Sequence, residues 1–344
     1  MKKKIGILTG GGDCPGLNPA IRGCVIAAEK FGYECVGFRQ GWKGIIENIT
    51  TPLNSDIVKN LISRGGTYLC TSRTNPYKKE GGVEAVRKNF KPNDLYALVA
   101  MGGEDTLGVA NKLYEDFKLP VIGVPKTMDN DLSATDYTFG FDTSVTAAMN
   151  ALASLRDTAK SHRRIIVLEV MGRHAGWVSL FTAIAGGADY VCLPERSVDV
   201  KHMMETLKKV YDKNGYALVV ASEAIDLPTT DKGEVQALDD FGHVLLKGRD
   251  VGEKLKNLIE EKINIETRHA VIGHMQRGGS PTLFDRILGT RVGVASARFV
   301  KEGNFGVMAA LQGNEVVAAP LAEAVGQLKT VSKEWLDLAD ILLN

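Results

Sequence analysis

The chain has 344 residues, of which 44% are hydrophobic and 24% charged, a composition that is ordinary for a globular protein and excludes a disordered or collagen-like chain. Lys and Arg number 42 against 41 Asp and Glu, a formal net charge of +1, so no overall basic field exists that would attract nucleic acid or a membrane surface. At roughly 150 residues per domain, this length predicts about two domains.

Short apolar runs rich in β-branched residues alternate with longer helical patterns along the chain. Strands are predicted at residues 4–9, 34–38, 95–101, 120–124, 164–171, 190–193, 216–222 and 268–273. Helices are predicted at residues 18–32, 106–116, 143–159, 174–185, 201–214, 252–262, 285–302 and 332–343, the first with Asn18 as its N-cap and Pro19 at its first helical position. This order favours an α/β fold with mainly parallel sheets between helix layers, in two domains with a ligand site in the cleft between them.

The last predicted helix is amphipathic. Its apolar positions are Trp335, Leu336, Leu338, Ile341 and Leu342. Because such a helix buries its apolar side, we expect it to dock on the rest of the chain or to pack against another subunit.

The amino-terminal residues and the cysteines favour a cytoplasmic protein. The apolar stretch 5–8, which follows three lysines, is shorter than the ~7–15 residues of a secretory signal core. No apolar run approaches the ~18–20 residues that span a bilayer. The five cysteines form no C-x-x-C pair, and an odd number fits a disulfide framework poorly. We therefore expect reduced thiols and no membrane partner.

Glycine-rich and acidic segments follow two of the predicted strands. Residues 9–18 contain three consecutive glycines between a strand and a helix, where backbone N–H groups can hold a phosphate or simply make a tight turn. The glycine spacing matches neither Walker A nor the dinucleotide-binding fingerprint. Glu104 and Asp105 follow two glycines at another such junction, where they act either as acidic N-caps or as direct or indirect ligands of Mg²⁺.

A polar segment, residues 125–132, directly follows the apolar run 121–124. A helix there would not make use of the polar side chains of this segment, so we expect a loop. Asp129 and Asp131 can divide two tasks, one as a general base and one near a metal ion. A structural Asx-turn is the alternative.

Basic residues flank the predicted strand 164–171. Arg164 and Arg173 are separated by an extended strand of ~30 Å, so one subunit cannot bring both to one small phosphate. Arg164 therefore belongs either to a neighbouring subunit's site or to the surface. His274 and Arg277 follow the last predicted strand and suit a phosphate clamp, because a guanidinium donates two parallel hydrogen bonds, although His274 could also be structural. Together these segments predict phosphoryl transfer to a phosphorylated small molecule.

Five segments together resemble the 6-phosphofructokinase family in unbroken order over about residues 3–300. They are residues 11–13, 102–106, 125–131, 171–173 and 273–279. The resemblance implies two similar three-layer α/β domains with mainly parallel sheets and the active site in the cleft. Residues 1–140 with 251–302 would bind the phosphoryl donor, residues 141–250 with 303–320 would bind fructose 6-phosphate, and residues 321–344 would form a helical tail. It also implies phosphorylation of the sugar's 1-hydroxyl, with Mg²⁺, by a homo-oligomer that is a tetramer or dimer.

The family's motifs imply a role for each matching residue. The catalytic residues would be Asp129 as the base, Thr127 and Arg173. The donor would be bound by Gly11, Gly12, Arg73, Asp105, Thr106 and Lys126. The sugar phosphate would be bound by Thr127, Asp129, Asp131, Met171, Gly172, Arg173, Glu223, His274 and Arg277, and by Arg164 and Arg268 reaching into a neighbour's site. Glu104, which stands where many members have aspartate, would be the metal residue.

Asp105 and Lys126 bear on the identity of the phosphoryl donor. Members that use ATP typically carry glycine at the position of Asp105 and often at that of Lys126, whereas members that use inorganic pyrophosphate resemble this chain. An acidic side chain fills space and repels the α-phosphate region of a nucleotide, and a lysine supplies a point charge for a compact diphosphate. The resemblance therefore implies pyrophosphate as the donor and a reversible reaction.

Three other functions are alternatives. The nearest is an ATP-dependent 6-phosphofructokinase. A catalytically silent regulatory subunit or sugar-phosphate sensor should have lost the base or Arg173, and both are present. An NAD-dependent oxidoreductase on a similar sheet should carry the G-x-G-x-x-G fingerprint, which this sequence lacks.

Overall fold

Within residues 3–227 and 249–343, the part of the chain that the computed structural model describes, the strands form two separate sheets. The strands are β1 (Lys4–Thr9), β2 (Glu34–Phe38), β3 (Thr50–Leu53), β4 (Leu95–Gly102), β5 (Val121–Pro125), β6 (Ile165–Val170), β7 (Tyr190–Cys192), β8 (Ala217–Ser222), β9 (Thr267–Val271), β10 (Val307–Gln312) and β11 (Glu315–Pro320). The helices are α1 (Leu17–Lys30), α2 (Trp42–Ile46), α3 (Ser55–Val58), α4 (Gly82–Phe90), α5 (Glu104–Phe117), α6 (Phe141–His162), α7 (Trp177–Gly186), α8 (Val200–Asn214), α9 (Val251–Ile263), α10 (Leu283–Glu302), α11 (Leu321–Gly326) and α12 (Lys333–Leu343), with a 3-10 helix at Gly273–Arg277. Of the helices in these ranges, none has the length and the apolar run that crossing a bilayer would take.

The larger sheet has seven strands in the order β11-β10-β5-β4-β1-β2-β3. Strands β2, β1, β4, β5 and β10 run parallel to one another, whereas β3 and β11 pair antiparallel with their neighbours at the two edges. Because the central strands point the same way, the carboxyl ends of β1, β4 and β5 meet along one edge of the sheet. The polar segments of the sequence follow these ends.

The smaller sheet has four parallel strands in the order β7-β8-β6-β9. Every residue of its central strand β6 is buried, which is why the run Ile165–Val170 is almost continuously apolar. In the register, Ile166 lies opposite Leu218 on one side and Arg268 on the other. The start of β6 and the start of β9 therefore lie at the edge of the sheet opposite to the carboxyl ends.

Helices cover both faces of each sheet, so each sheet is the middle of three layers. In β1, Ile5 and Ile7 pack with α1 and α10, whereas Leu8 packs with α5 and α11 on the other face. In β6, Ile166 packs with α6 and α7 on one face, and Val167 packs with α8 and α9 on the other. The alternation of strand residues between faces thus produces the fold expected from the sequence.

Helices α1 and α10 approach each other closely because glycines face the contact. A Cβ on Gly23 would lie 2.5 Å from the backbone oxygen of Thr290, and a Cβ on Gly293 would overlap with the backbone oxygen of Ala20. Any larger residue at these two glycines would push the helices apart. This packing fixes the first turn of α1, which follows the glycine-rich loop.

All eight predicted strands are confirmed, with ends that differ by at most about two residues. The predicted helices are confirmed with ends within about three residues. Three strands and four short helices were not predicted from the sequence. They are β3, β10, β11, α2, α3, α4 and α11. Strand β3 has only four residues and contains Pro52, and strands β10 and β11 are rich in alanine. For these reasons none of the three strands shows a strong strand pattern in the sequence.

The prediction that Asn18 caps the first helix is wrong. Helix α1 begins one residue earlier, after Gly16, whose φ of 111° is in the left-handed region. The Asn18 side chain instead donates hydrogen bonds to the backbone oxygens of Arg64 and Gly65, at 3.1 and 3.0 Å, and accepts one from the N–H of Tyr68 at 2.7 Å. Asn18 therefore holds a distant loop against the helix, a task that local sequence does not reveal.

The predicted domain boundaries differ from the sheets at two places. Residues 303–320 are predicted to belong to the sugar-binding domain, but β10 pairs with β5 and extends the larger sheet. Residues 251–302 are predicted to belong to the donor-binding domain, but β9 pairs with β6 of the smaller sheet, and α9 packs on that sheet. Of this range, α10 packs on the larger sheet.

Helix α12 docks on the smaller sheet's helices through fewer residues than its pattern predicts. Trp335 and Leu336 pack against the core there, and the Trp335 ring lies 4.7 Å from that of Phe181, centroid to centroid. The apolar residues that remain exposed are Leu338, Ile341 and Leu342. One side of α12 thus covers α7. That the exposed side of α12 packs against another subunit stays a prediction.

Candidate active site

A pocket lies where the carboxyl ends of β1, β4 and β5 face the end of β6 and the 3-10 helix. Of the residues predicted from the sequence, those that line it are Gly11, Gly12, Arg73, Glu104, Asp105, Thr106, Lys126, Thr127, Asp129, Asp131, Arg173 and Arg277. The two sheets therefore bring together motifs that are widely separated in the chain. This edge of an open α/β sheet is where ligands bind.

Small residues allow the glycine loop after β1 to lie directly on the first turn of α5. A Cβ on Gly10 or on Gly102 would overlap with the Thr106 side chain, which is buried in that turn. Gly10 donates its N–H to the backbone oxygen of Met101, and Gly11 has a φ of 76°. The loop thereby presents backbone to the pocket next to a helix N-terminus, which favours a bound anion.

Replacing Gly102 with alanine is expected to destabilise the fold by ~1–3 kcal/mol. The new Cβ would overlap with the Thr106 side chain, and relief of this overlap would require a shift of the backbone at residue 102 or at Thr106. Chemical denaturation would measure the loss. Gly108→Ala is the matched control, since a Cβ there has no neighbour within 4 Å and helix α5 gains a better helix former. Equal stability of the two variants would contradict the close packing.

Gly12 lies against the guanidinium of Arg277. A Cβ on Gly12 would be 2.6 Å from the Nη1 of Arg277, and that nitrogen donates a hydrogen bond to the backbone oxygen of Asp13 at 3.2 Å. The arginine thus reaches from the 3-10 helix after β9 across to the loop after β1. It links the two sheets at the pocket and places a permanent positive charge there.

The segment after β5 forms the loop that the sequence predicts. Asp129 donates its N–H to Thr127 Oγ1 at 3.1 Å, and the hydroxyl of Thr138 donates to the backbone oxygen of Thr127 at 2.7 Å. Asn130 has a φ of 53°, in the left-handed region, and its Oδ1 accepts from the N–H of Thr138. Met128 is buried in the core and anchors the loop, which we call the catalytic loop, residues 126–138. Asp129 and Asp131, on either side of Asn130, both line the pocket.

Buried charges concentrate in this pocket. Burial raises the pKa of Asp131, and repulsion from Asp129 and Glu104 raises it further. Burial lowers the pKa of Lys126, although the carboxylates of Asp129 and Asp131 oppose that shift. Asp129 is 7% exposed, and its Oδ1 is buried without a hydrogen bond from any residue in the described ranges. A buried carboxylate oxygen without a partner is costly, so it is available for a ligand.

The predicted sugar-side residues form a second wall beside the pocket. Gly172 donates its N–H to Glu223 Oε1 at 3.3 Å, and Met171 donates its N–H to the side chain of Gln276 at 2.8 Å. Burial raises the pKa of Glu223, and the nearby carboxylate of Asp129 contributes. Glu223 therefore lies within electrostatic reach of Asp129, and Gly172 is bonded to Glu223. Gln276, which also donates to the hydroxyl of Ser144, was not predicted to have a role.

Six predicted residues are not among those that line the pocket: Met171, Gly172 and Glu223 form the wall beside it, and the other three lie elsewhere. His274 is exposed on the 3-10 helix, one turn from Arg277. Arg164 and Arg268 lie at the opposite edge of the smaller sheet, where both contact Glu266, at 3.5 and 2.8 Å. This agrees with the distance argument from the sequence, since a strand separates Arg164 from Arg173.

Several residues that line the pocket were missed. They are Trp42, Ser72, Thr74, Gly103 and His174. Ser72 and Thr74 belong to a loop tied to the glycine loop by hydrogen bonds, one from the hydroxyl of Thr71 to the oxygen of Gly11 at 2.5 Å. The available signal was the polar run around Arg73. His174 was predicted to start a helix, but α7 begins only at Trp177.

The carboxylates of the pocket fit a hydrated divalent cation better than a metal caged by protein alone. Asp129 and Glu104 both lie close enough to Asp131 to raise its pKa by repulsion. In the part of the chain that the structure describes, no three His, Cys, Asp or Glu side chains are grouped to hold a metal ion by themselves. Mg²⁺ commonly takes one or two carboxylates together with water and substrate phosphates. The donor set therefore suits Mg²⁺ that shares its coordination with a phosphate ligand.

Comparison with known proteins agrees with this architecture. Residues 4–300 match the family model described as Phosphofructokinase. A pyrophosphate–fructose 6-phosphate 1-phosphotransferase of Amycolatopsis methanolica is 48% identical over 347 residues, covering 99% of this chain and 100% of its own. ATP-dependent 6-phosphofructokinase 3 of Streptomyces coelicolor is 43% identical over 332 residues, covering 95% of this chain and 96% of its own. The solved structure of a pyrophosphate-dependent phosphofructokinase from Marinobacter aquaeolei, at 21% identity, has the same fold, with a TM-score of 0.84 over 99% of this chain and 91% of the other.

Proposed function

Because this chain belongs to the phosphofructokinase family, we propose that it transfers a phosphoryl group reversibly from inorganic pyrophosphate to the 1-hydroxyl of fructose 6-phosphate. The products are fructose 1,6-bisphosphate and phosphate. The observation that carries this proposal is the buried, unpartnered Oδ1 of Asp129 in one pocket with Lys126, Arg173 and Arg277. A base beside several phosphate-binding cations is the arrangement that phosphoryl transfer to a hydroxyl requires.

Asp129 acts as the base. It accepts the proton of the 1-hydroxyl as that oxygen forms a bond to the phosphorus, and the bridging P–O bond of pyrophosphate breaks, with phosphate as the leaving group. Lys126, Arg173 and the backbone N–H groups of Gly11 and Gly12 stabilise the negative charge on the transferring group. Thr127 accepts the N–H of Asp129 and so orients the base.

The sugar phosphate occupies the wall between β6 and the 3-10 helix. Glu223, Met171 and Gly172 contact the sugar, while Arg277 and His274 bind its 6-phosphate. The support is that Gly172 and Glu223 are hydrogen-bonded to each other and that Glu223 lies within electrostatic reach of Asp129. Arg277 forms a planar fork that suits a phosphate.

Asp105 and Lys126 select pyrophosphate over ATP. Lys126 is 4% exposed and its Nζ lies 3.3 Å from where a Cβ on Gly11 would be, so its charge meets the glycine loop directly. Asp105 lies in the first turn of α5 on the same pocket, together with Arg73 and Thr106 on the donor side. A carboxylate there repels a further phosphate of a longer chain, and this effect favours a bare diphosphate.

Mg²⁺ is the metal that we propose, held by Glu104 together with the phosphates. When bound, it neutralises charge on the diphosphate. EDTA is expected to abolish phosphoryl transfer, and added Mg²⁺ to restore it. Glu104→Gln is expected to raise the Mg²⁺ concentration for half-maximal rate by ~10-fold or more, because one carboxylate is lost.

The control for the metal prediction is Glu115→Gln, a change on the exposed side of the same helix, where Glu115 accepts a hydrogen bond from the side chain of Asn111. This variant is expected to need the same Mg²⁺ concentration as the unmodified chain. A Glu104→Gln variant with an unchanged Mg²⁺ requirement would remove Glu104 from the metal site.

We propose that the active form is a homo-oligomer, a tetramer or dimer, in the cytoplasm. Arg164 and Arg268 are too far from this chain's own pocket to serve it, so they bind the sugar phosphate of a neighbouring subunit. The outer face of α10 supports an interface, since several of its apolar side chains are exposed. They are Leu283, Phe284, Ile287 and Val294. The free thiols, four of them buried, support a reducing compartment.

The test is an assay of the purified chain on fructose 6-phosphate and Mg²⁺ with either pyrophosphate or ATP. We expect kcat/KM with pyrophosphate to exceed that with ATP by ~100-fold or more, since ~3 kcal/mol of electrostatic discrimination gives that ratio. Preferential use of ATP would overturn the donor and leave the family unchanged. Inactivity with both donors would overturn the proposed reaction.

A further inference from the structure

The segment between α11 and α12, residues 327–331, lies directly behind the catalytic loop, and we call it the strap. Leu328 forms an antiparallel bridge with Leu132. Ser133 donates its hydroxyl hydrogen to the backbone oxygen of Gln327 at 2.6 Å, and Lys329 donates its N–H to the backbone oxygen of Asp131 at 2.9 Å. The strap therefore pairs with the loop much as a short extra strand would.

The Lys329 side chain adds a second and stronger connection. Its Nζ donates to Asn130 Oδ1 at 3.2 Å and to the backbone oxygens of Thr135 and Asp136 at 2.9 and 2.8 Å. These three acceptors use all three hydrogens of the ammonium group. All three belong to the catalytic loop, and Asn130 is the left-handed residue between Asp129 and Asp131.

The other side of the strap contacts the loop that carries Arg173. The indole N–H of Trp177 donates to the backbone oxygen of Lys329 at 2.9 Å. Glu195 Oε1 accepts the N–H groups of both Val331 and Gly176, at 3.0 and 2.8 Å. Gly176 and Trp177 follow Arg173 by only a few residues. The strap thus connects the base-bearing loop of the larger sheet to the arginine-bearing loop of the smaller sheet.

We propose that Lys329 is a positioning residue for phosphoryl transfer, which orients the Asp129 carboxylate relative to Arg173 by holding the catalytic loop to the strap. This inference rests on the proposed function, because it assigns Asp129 the role of base. Lys329 does not line the pocket, so its effect on the reaction passes through Asn130 and the loop backbone. Burial lowers the pKa of Lys329 to about 8, which leaves the ammonium form in the majority at neutral pH, and Asp136 and Asp131 favour that form.

Three variants test the proposal. Lys329→Met removes the three hydrogen bonds and keeps the aliphatic length, Lys329→Gln retains two N–H donors without the charge, and Lys333→Met is the control. Lys333 is also in the tail, but its side chain is 87% exposed and pairs with Asp337 rather than with the catalytic loop. Each purified variant is assayed for kcat and for the KM of fructose 6-phosphate, with its folded fraction measured by thermal unfolding.

We expect Lys329→Met to lower kcat per folded molecule by ~10–100-fold with the KM of fructose 6-phosphate within ~3-fold, because small displacements of a base cost rate more than binding. Lys329→Gln should fall between this variant and the unmodified chain, and Lys333→Met should match the unmodified chain. This split between kcat and KM would not arise from a merely structural role, which changes only the amount of folded enzyme.

The inference is overturned if Lys329→Met has an unchanged kcat per folded molecule, or if only KM changes. Should Lys329→Met fail to fold, Lys329→Gln decides the matter, and a kcat equal to that of the unmodified chain overturns the inference. Inactivity of the unmodified chain with both pyrophosphate and ATP instead contradicts the proposed function, so the two failures are distinguishable.

Discussion

Replacing Asp129 with serine lowers kcat by ~10²–10⁴-fold and changes the KM of fructose 6-phosphate only modestly, because general-base catalysis contributes about that factor. The carboxylate is buried in one pocket with Lys126 and Arg173, and serine offers no carboxylate to accept the proton. Steady-state kinetics in both directions, with pyrophosphate and with phosphate as the varied substrate, would measure the loss. The reverse reaction should fall by the same factor, since Asp129 then returns the proton.

The matched control is Asp116→Asn, which removes an exposed carboxylate on helix α5 that contacts Tyr77 at 2.8 Å. It should leave kcat unchanged. An Asp129→Ser enzyme with near-normal turnover would show that another group removes the proton. The neighbouring Asp131, whose pKa burial raises, would then be the next candidate.

The double variant Asp105→Gly and Lys126→Gly is expected to shift the ratio of kcat/KM for ATP to that for pyrophosphate by ~100-fold or more toward ATP. Removing the Asp105 carboxylate relieves its repulsion of the additional phosphate, worth a few kcal/mol where water is excluded. Removing the buried Lys126 ammonium weakens the binding of pyrophosphate, because the diphosphate has fewer other groups through which to bind. Donor competition kinetics at fixed Mg²⁺ would measure the ratio.

The two single variants separate these contributions. Asp105→Gly should admit ATP while retaining most of the pyrophosphate activity, and Lys126→Gly should lose pyrophosphate activity without gaining much with ATP. A double variant that still rejects ATP would show that other parts of the pocket exclude the nucleotide. Trp42, which also lines the pocket, would be the first to examine.

The strands that could be predicted are those whose burial shows in the sequence. β6 is covered on both faces, so Ile165–Val170 is a nearly continuous apolar run, and β1 is similar. Strands β10 and β11 could not be recognised in this way. Their alanines and the position of β11 at the edge of the sheet leave the hydrophobic pattern of the sequence ambiguous. Their pairing with β5 joins residues that are far apart in the chain, and local patterns carry no information on such contacts.

The candidate site was predictable wherever its residues follow a strong strand. Gly11, Glu104, Lys126 and Asp129 are all of this kind, and they line one pocket. Ser72 and Thr74 lie in a loop between weak elements, which is held in place by hydrogen bonds to the distant glycine loop and to Gln40. The interaction of Asn18 with residues 64–68 is hidden for the same reason.

The late position of β10 in the chain has a consequence for biosynthesis. Until residues 307–312 leave the ribosome, one side of β5 lacks its neighbour in the larger sheet, and its backbone hydrogen-bonding groups stay open. An open edge of this kind can pair with another nascent chain. Slow translation of the segment between β5 and β10 would therefore prolong the period in which newly made molecules are prone to aggregate and most in need of a chaperone.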